Sequence, residues 1–452
     1  MSTVVIASPS CSPSTITAPG QSATSRCSAA DQERYEDALA RVERYEREVM
    51  DLRRQLRVQG IEENRALDFK KRAEEAEEAN VEMKQALTRA QDNNRHLFDA
   101  VQDLKGNLRV MCRIRPQIAA EDGELQKLQV SQGKNSDHLQ VVSLIKRTAR
   151  SDSEIDHFTM ERVFEMAETN KQIFTEVGQL VGSAMNGRNV CVFAYGQTGS
   201  GKTHTMTYPW NKKIAPGGDV DSGIIPSSVE LISNQMSKRA DSWKYSVTGK
   251  YVEIYAEKVY DLLRDNFKEN VAVALKFNVQ KSVTVFWAES TTVDLTKDGN
   301  FVEKVKLMLT KASKNRRTRA TEKNLESSRS HSVLSLRIVG ERIDGKRGFT
   351  DGTLNLIDLA GSERPSTTDS ASQKEGIAIN LSLSTLRKIL KEMADPTVSR
   401  FSFRESTLTK LLSSSLGEGC RIMMFVMISP SAKDRDETRN TLQFAIEAQR
   451  PS

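Results

Sequence analysis

The stretch GQTGSGKT, residues 196–203, decides which fold this chain can adopt. It follows the apolar run NVCVFAY, residues 189–195, which predicts a buried strand, and it precedes residues 204–206, which can open a helix. Strand, glycine loop and helix is the order of a phosphate-binding loop, because glycines let backbone N–H groups converge on a polyanion. Lys202 then reaches the outer phosphates, Thr203 offers a hydroxyl to Mg²⁺, and the helix start adds the positive end of its dipole. The sequence therefore predicts a nucleotide site in preference to a merely glycine-rich turn.

The composition of the 452-residue chain excludes several classes of protein. No window approaches 18 consecutive apolar residues, so no membrane-spanning helix is predicted, and the N-terminus lacks the basic region of a secretory signal. The five cysteines are scattered without metal-ligand spacing, which favours reduced intracellular thiols. The net charge of +6 suggests at most a local basic face for an acidic partner, and a solvated surface with a small excess of Lys and Arg explains it equally well.

The N-terminal part differs in composition from the rest of the chain. Residues 1–30 are rich in Ser, Thr, Pro and Ala and carry almost no charge, which predicts a disordered tail. Residues 31–105 contain no proline and are dense in Glu, Arg, Lys and Ala, which favours one long helix. Apolar residues recur there at alternating steps of three and four, so a two-stranded coiled coil is the leading interpretation, and a single solvated helix held by ion pairs is the alternative.

The heptad seam has a phase slip. Leu56 and Ala73 are 17 residues apart, which is two heptads plus three, so the supercoil is overwound or interrupted near Gly60. The seam consists of two runs: Tyr35, Ala38, Val42, Tyr45, Val49, Leu52 and Leu56, then Ala73, Ala76, Asn80, Met83, Leu87, Ala90, Asn94, Leu97, Val101, Leu104 and Leu108.

From Gly106 onward, strand-like runs alternate with helix-like stretches. This interleaving predicts one α/β domain over residues 106–450, with a central mixed sheet and helices on both of its faces. The predicted strands are 108–114, 190–195, 245–255, 283–287, 332–338, 354–359 and 422–428, and the predicted helices are 170–186, 301–317, 374–393 and 406–416.

Phosphoryl transfer also needs a metal anchor, a group that positions water and a sensor of the terminal phosphate. The run LNLIDLAG, residues 354–361, is an apolar strand that ends in an acid. We expect Asp358 to hold Mg²⁺ or its water and the Gly361 amide to bond to the terminal phosphate. The polar segment NLESSRSH, residues 324–331, precedes another predicted strand, and its hydroxyls could reach Mg²⁺ and phosphate oxygens. Taken alone, that segment is more typical of an ordinary loop.

Together these stretches resemble the kinesin motor domain. GQTGSGKTHTM at 196–206, NLESSRSH at 324–331 and LIDLAGSER at 356–364 are similar, in order and spacing, to the nucleotide loop and the two switch segments of that family. The resemblance covers about residues 106–448 and implies a P-loop NTPase fold with ATP and Mg²⁺. The junction GNLRV at 106–110, with a predicted coiled coil before it, resembles the C-terminal-motor subfamily, whose members move toward microtubule minus ends.

The resemblance implies a role for each candidate residue. The residues implied in catalysis lie in the two switch segments: Ser327, Ser328, Arg329, Gly361 and Glu363. Nucleotide binding falls to the glycine loop and to residues expected around the adenine: Arg113, Arg115, Pro116, Gly196, Gln197, Thr198, Gly199, Ser200, Gly201, Lys202, Thr203 and His204. The metal ion is expected to bind three residues with oxygen donors: Thr203, Ser328 and Asp358. Within the catalytic set, an ion pair between Arg329 and Glu363 is expected to order the hydrolytic water.

The resemblance also implies an acidic partner, tubulin, for a basic track face. The expected basic residues of that face are Lys374, Lys388, Lys391, Arg400, Arg404 and Lys410. The sequence departs from the family there: Leu381 stands where the pattern Ile-Asn-Lys-Ser-Leu has its lysine, and the segment SFRESTLT places Glu405 where the pattern has asparagine. The sequence therefore predicts ATP binding more firmly than normal microtubule affinity.

The leading hypothesis is an ATP-driven microtubule motor, minus-end-directed, that forms a homo- or heterodimer through its coiled coil. We expect it in the cytoplasm on the cytoskeleton, with the mitotic spindle as a candidate location. A non-motile microtubule cross-linker or adaptor with weak ATPase activity is the alternative. An unrelated GTPase is disfavoured because no Asn-Lys-x-Asp motif follows a strand, and a DNA ATPase because no basic stripe with interleaved aromatic residues is present. Neither nucleic acid nor a membrane is expected as a partner.

Overall fold

The computed structural model describes most of the chain and forms two compact units that divide between Phe98 and Asp99. The described residues are 24–58, 63–118, 127–133, 136–146, 154–207, 221–265, 271–280, 283–297, 299–323, 327–345, 347–363, 370–395, 397–398, 400–417 and 419–449. The division lies slightly before the predicted boundary at 105/106, because Asp99 and Asp103 at the end of the second helix bond Arg421 and belong to the second unit.

Two helices, α1 (Thr24–Val58) and α2 (Glu63–Leu104), replace the single long helix that the composition favoured. Their ends flank Gly60, where the heptad phase slips, and residues 59–62 lie outside the described residues. α1 begins within the predicted disordered tail, and residues 1–23 also lie outside the described residues.

Within the first unit, α1 and α2 run antiparallel to each other. Arg53 pairs with Glu77, and Lys84 Nζ lies 2.7 Å from Glu46 Oε1, so residues later in α1 meet residues earlier in α2. Both runs of the predicted seam contribute buried residues: Val42, Val49, Leu52 and Ala73. The apolar residues of the seam therefore pack between two helices of one chain. The structure does not show the predicted two-stranded coiled coil.

The second unit is built on one mixed sheet, which confirms the predicted fold class. Its strands lie in the order β11-β7-β12-β13-β6-β14-β1-β5, and β8 pairs with β7. The strand bounds are β1 Leu108–Ile114, β5 Arg162–Phe164, β6 Asn189–Tyr195, β7 Trp243–Tyr255, β8 Lys258–Asp261, β11 Val293–Asp294, β12 His331–Arg342, β13 Phe349–Asp358 and β14 Arg421–Ile428. Helices cover the sheet: α3 Asn170–Met185, α4 Lys202–Thr207, α5 Ile224–Lys238, α6 Phe301–Lys323, α7 Ser370–Ala394, α8 Thr407–Leu411 and α9 Arg435–Ala448.

Successive side chains of the central strands enter opposite cores, as the two-residue period of a strand requires. On β6, Val192 joins the core formed with α3, α5 and α6, and Phe193 joins the core formed with α7, α8 and α9. Both side chains are completely buried. This double burial explains why the central strands are almost continuously apolar in sequence.

The parallel strands β13, β6, β14 and β1 end at one edge of the sheet. In the register of β13 with β6, Asp358 lies opposite Ala194, two residues before Gly196. The phosphate loop and the predicted metal acid are therefore neighbours. Ligands of open α/β sheets bind at this carboxyl edge.

Some elements differ from the prediction. A separate sheet of β2 (Lys127–Gly133), β3 (Ser136–Lys146) and β4 (Glu154–Met160) was not predicted. Also unpredicted was β9 (Leu275–Gln280), which pairs with β10 (Val283–Ala288). α8 ends at Leu411, five residues before the predicted end at 416, and a turn that contains three consecutive serines, 413–415, follows. No described helix combines the length and the apolar character that a bilayer span requires.

Candidate functional site

The phosphate loop connects β6 to α4 in the geometry that its glycines permit. Gly199 and Gly201 have φ angles of 78° and 97°, in the left-handed region that glycine adopts without strain. Gly196 lies so close to the carbonyl oxygen of Met427 that a Cβ atom would overlap it. The hydroxyl of Ser200 is buried and has no hydrogen-bond partner among the described residues. The loop is thus compact, and only glycine fits at its closest approach to β14.

Lys202 points into this loop. Its ammonium donates hydrogen bonds to the carbonyl oxygens of Gly196 at 2.7 Å and Gln197 at 2.8 Å. Burial lowers the pKa of Lys202, and the carboxylates of Asp358 and Glu363 oppose that effect. An ammonium carries three donors, so two bonds to the loop leave a third for an oxygen of a phosphate.

A hydrogen bond brings two predicted metal ligands, Thr203 and Asp358, together. Thr203 Oγ1 donates to Asp358 Oδ2 at 2.7 Å, which joins the phosphate loop to the end of β13. Asp358 is only 3% exposed, and its other oxygen, Oδ1, has no hydrogen-bond partner among the described residues. A buried carboxylate oxygen without a partner is costly. Because Mg²⁺ takes oxygen ligands and usually keeps several waters, the residues present fit a hydrated Mg²⁺ at this position.

The segment that follows β13 closes onto the phosphate loop. The carboxylate of Glu363 accepts hydrogen bonds from Thr198, one from the backbone N–H at 2.8 Å and one from the hydroxyl. A Cβ atom at Gly361 would overlap both the Glu363 carboxylate and the Thr198 hydroxyl. The missing side chain at 361 therefore lets Glu363 reach the loop. Its ion pair with Arg329 stays a prediction.

The other predicted switch segment forms a short 3₁₀ turn, Ser327–Arg329, directly before β12. The backbone carbonyl of Ser328 accepts a hydrogen bond from the Gly361 amide at 2.7 Å. The two switch segments are therefore in contact, and the amide predicted to sense a terminal phosphate is bonded to Ser328. Residues 324–326 and the side chain of Ser327 lie outside the described residues.

His331 joins both switch segments to α7, a link that the sequence analysis missed. The Ala360 amide donates to His331 Nδ1 at 3.0 Å, so Nδ1 is the acceptor and the ring proton is assigned to Nε2. Nε2 lies 2.7 Å from the hydroxyl of Ser382, which in turn donates to the Ile379 carbonyl at 2.7 Å. The only sequence signal was that the serine-rich motif NLESSRSH ends in this histidine at the start of a strand.

We expect His331 to make the protein less stable in acid. Burial and the charges of Lys202 and Arg316 lower the pKa of His331 to about 3. Its pKa in the unfolded chain is about 6.5, so between these values the unfolded state binds the extra proton. Stability therefore falls as the pH falls through this window, by up to about 1.4 kcal/mol per pH unit.

Urea denaturation near neutral pH and near pH 5 measures this effect. The wild type should lose more stability on acidification than His331→Asn. The pKa of Glu161, which burial raises to about 6, lies in the same window in both proteins, so the difference between the two isolates His331. Equal losses in the two proteins would contradict the buried neutral ring.

Arg113, predicted to contact the adenine, is bonded to the helices beside the phosphate loop, and its contact with a base stays a prediction. It is 3% exposed, and its Nη1 donates to Asn170 Oδ1 and to Thr205 Oγ1, both at 2.5 Å. These partners belong to α3 and α4, so Arg113 links β1 to both helices. The alternation of β1 turns this side chain toward the α3 side of the sheet.

The other residues predicted around the adenine lie at the same edge of the sheet. Arg115 follows β1, and its guanidinium donates to the Ser429 hydroxyl at 2.9 Å. Pro116 and His204 are exposed to solvent. Their contact with a base stays a prediction.

Comparison with known proteins identifies relatives of this site and fold. The family model described as the kinesin motor domain matches residues 113–450. Kinesin-like protein KAR3 of Saccharomyces cerevisiae is 38% identical over 376 residues, which is 80% of this chain and 49% of that protein. Kinesin-like protein 2 of Schizosaccharomyces pombe is 38% identical over 379 residues, 81% of this chain and 44% of that protein. The chain thus spans about half the length of these curated relatives.

Solved structures agree with these matches. The C-terminal motor and motor homology domain of Kar3Vik1, fused to a synthetic heterodimeric coiled coil, is 32% identical with a TM-score of 0.75, covering 86% of this chain and 97% of that one. The motor domain of Saccharomyces cerevisiae KAR3 is 36% identical with a TM-score of 0.63, covering 76% of this chain and 99% of that one.

Proposed function

The chain belongs to the kinesin motor domain family, whose members are microtubule-stimulated ATPases, and on that premise we propose that it is an ATP-driven microtubule motor. One observation carries the proposal: a single loop gathers the ammonium of Lys202, the metal-type acid Asp358 and the switch acid Glu363. Phosphoryl transfer requires a positioned cation, a metal anchor and a group that orders water.

In this proposal the substrate is ATP with Mg²⁺. Lys202 donates to the outer phosphates, and Thr203 and Asp358 hold the ion or its waters. When bound, Mg²⁺ neutralises charge that develops on the phosphate oxygens. We propose that the hydroxyl of Ser328, whose backbone carbonyl accepts a hydrogen bond from the Gly361 amide, completes the metal shell.

The switch segments supply the response to the terminal phosphate. We propose that the Gly361 amide exchanges the Ser328 carbonyl for a phosphate oxygen, and that Glu363 exchanges Thr198 for Arg329. The Gly361–Ser328 bond is a neutral backbone hydrogen bond, so a charged phosphate oxygen can replace it with a stronger one. The Glu363 carboxylate would exchange two hydrogen bonds from Thr198 for an ion pair. Because His331 bonds both the Ala360 amide and Ser382, a shift of the segment after β13 is transmitted to α7.

A non-motile microtubule cross-linker that uses the same fold with little turnover is the second candidate. The departures at Leu381 and Glu405, both on the predicted track face, favour it. Steady-state ATPase activity with and without microtubules separates the two functions. A motor should show turnover that rises with microtubule concentration, whereas low turnover that does not respond to microtubules would favour the cross-linker.

We propose minus-end-directed movement, as for the C-terminal-motor subfamily. The support is that a helix precedes the motor core and that its last turn bonds to the sheet: Asp103 accepts a hydrogen bond at 2.8 Å from Arg421 of β14. Arg421 is 1% exposed, and its hydrogen bond lowers the pKa of Asp103. We further propose the cytoplasmic microtubule cytoskeleton, and the mitotic spindle within it, as the location.

The protein should form a homo- or heterodimer through its helical part. Seam residues near the end of α2 stay exposed, with Leu97 at 63%, Val101 at 38% and Leu104 at 88%. Exposed apolar residues at heptad spacing are typical of a helix that binds another helix. Light scattering at micromolar concentration should give the mass of two chains, and a monomeric mass would contradict the homodimer.

A further inference from the structure

One face of α7 is exposed along much of the helix. The exposed residues recur at alternating steps of four and three, and we call them the α7 stripe: Ile377, Leu381, Ser384, Lys388 and Lys391. Two of them are large and apolar, Ile377 at 67% exposure and Leu381 at 42%. The stripe contains the position at which leucine replaces the lysine of the family pattern.

The positive charge of the α7 stripe is partly compensated within the chain. Lys388 Nζ donates a hydrogen bond to Glu405 Oε1 at 2.6 Å, and this bond raises the pKa of Lys388. Glu405 lies in the connection from α7 to α8 and is the acid that replaces the asparagine of the family pattern. The two departures from the family pattern therefore converge on one surface, and both lower its positive charge.

The Lys388–Glu405 pair is exposed, so it can open. The side chains of Lys388 and Glu405 are 50% and 42% exposed, and exposed ion pairs contribute little to stability. An acidic partner that approaches the α7 stripe offers carboxylates of the same chemistry as Glu405. Lys388 must then leave one carboxylate to bond another, so it gains little from the partner.

We propose that Glu405 competes with the microtubule for Lys388 and so sets the affinity of this chain for its track. The inference rests on the proposed function and names the residues that tune it. The α7 stripe then contacts tubulin chiefly through Ile377 and Leu381, and binding depends less on salt than a stripe of free lysines would allow.

Co-sedimentation with microtubules in the presence of a non-hydrolysable ATP analogue tests the proposal, with the full chain at several salt concentrations. Glu405→Asn frees Lys388 and should tighten binding about threefold to tenfold at low salt, with the gain shrinking as salt is raised. Lys388→Met should weaken binding less than about twofold in the wild type, but about threefold or more in the Glu405→Asn background, because coupled residues are not additive.

A matched control carries the same change of charge away from the α7 stripe. Asp265 pairs with Lys311 of α6 at 2.5 Å, and α6 packs on the opposite face of the sheet from α7. Asp265→Asn should leave the microtubule affinity within about twofold of the wild type, because exposed charges this far from the interface are screened.

The outcomes are distinguishable. A wild-type chain that fails to bind microtubules at any salt concentration contradicts the proposed function and this inference together. A wild-type chain that binds, with Glu405→Asn no tighter, overturns the inference alone. Equal effects of Lys388→Met in both backgrounds also overturn it, since Glu405 would then act only by general repulsion.

Discussion

Replacing Lys202 with alanine is expected to weaken ATP binding. The ammonium of Lys202 is buried in the phosphate loop, and we expect it to donate to the outer phosphates. Hydrogen bonds that involve a charged group contribute about 1.5–3 kcal/mol each, so losing the bond from the third donor of Lys202 to a phosphate oxygen should raise the Kd about 10-fold to 100-fold. Equilibrium binding of a fluorescent ATP analogue measures this change directly.

The variant should remain folded. Lys202 is bonded to two loop carbonyls, so alanine removes two hydrogen bonds. Alanine also removes a charge whose burial is unfavourable, as the lowered pKa of Lys202 shows. Thermal denaturation of the variant without nucleotide should therefore stay close to that of the wild type. Lys238→Ala, at an exposed position near the end of α5, is the matched control and should bind ATP normally. Unchanged binding by Lys202→Ala would show that the nucleotide lies elsewhere.

Replacing Glu363 with alanine should leave ATP binding intact and stop hydrolysis. Glu363 bonds Thr198 in the present structure, and we propose that it pairs with Arg329 when the terminal phosphate is bound. Removing one group that organises the transition state typically slows the chemical step about 100-fold to 1,000-fold. Single-turnover hydrolysis, combined with equilibrium binding, separates the two effects.

Glu363→Gln sharpens this test because glutamine keeps the size and one acceptor oxygen but lacks the charge. If pairing with Arg329 matters, glutamine should be nearly as slow as alanine. Normal turnover in both variants would exclude Glu363 from the hydrolytic step. Normal turnover in the glutamine variant alone would assign Glu363 a hydrogen bond rather than an ion pair.

The geometry of the phosphate loop and its contact with Asp358 were predictable because each part is a short, local stretch of sequence. The phosphate loop is one short run between a strand and a helix, and the acid at 358 ends another apolar strand. Parallel pairing of these two strands brings the loop and the acid to one edge. Only the strand order had to be right for Thr203 to meet Asp358.

Other features depend on contacts between distant segments and had little signal in the sequence. The link from His331 to Ser382 spans two elements, and neither residue is distinctive alone. The side of β1 that Arg113 faces depends on which helices pack there. The pair of Lys388 and Glu405 joins two positions that looked like separate departures from the family pattern.

For the N-terminal helices, the sequence predicts the apolar seam but not the helix that packs against it. Heptad spacing identifies a seam, and the phase slip near Gly60 marks where the helix ends, but the pattern does not specify the partner helix. The same apolar residues can pair in parallel between two chains or antiparallel within one. The structure has the second pairing, with Val49 and Ala73 buried inside one chain.

A gliding assay on polarity-marked microtubules tests the motor proposal most directly, since one observation reports activity, track and direction. We expect surface-bound protein to move microtubules with their plus ends leading when ATP is present, and to stop when ATP is removed. Microtubules that bind to the surface but never move with ATP would contradict a motor and support the cross-linker.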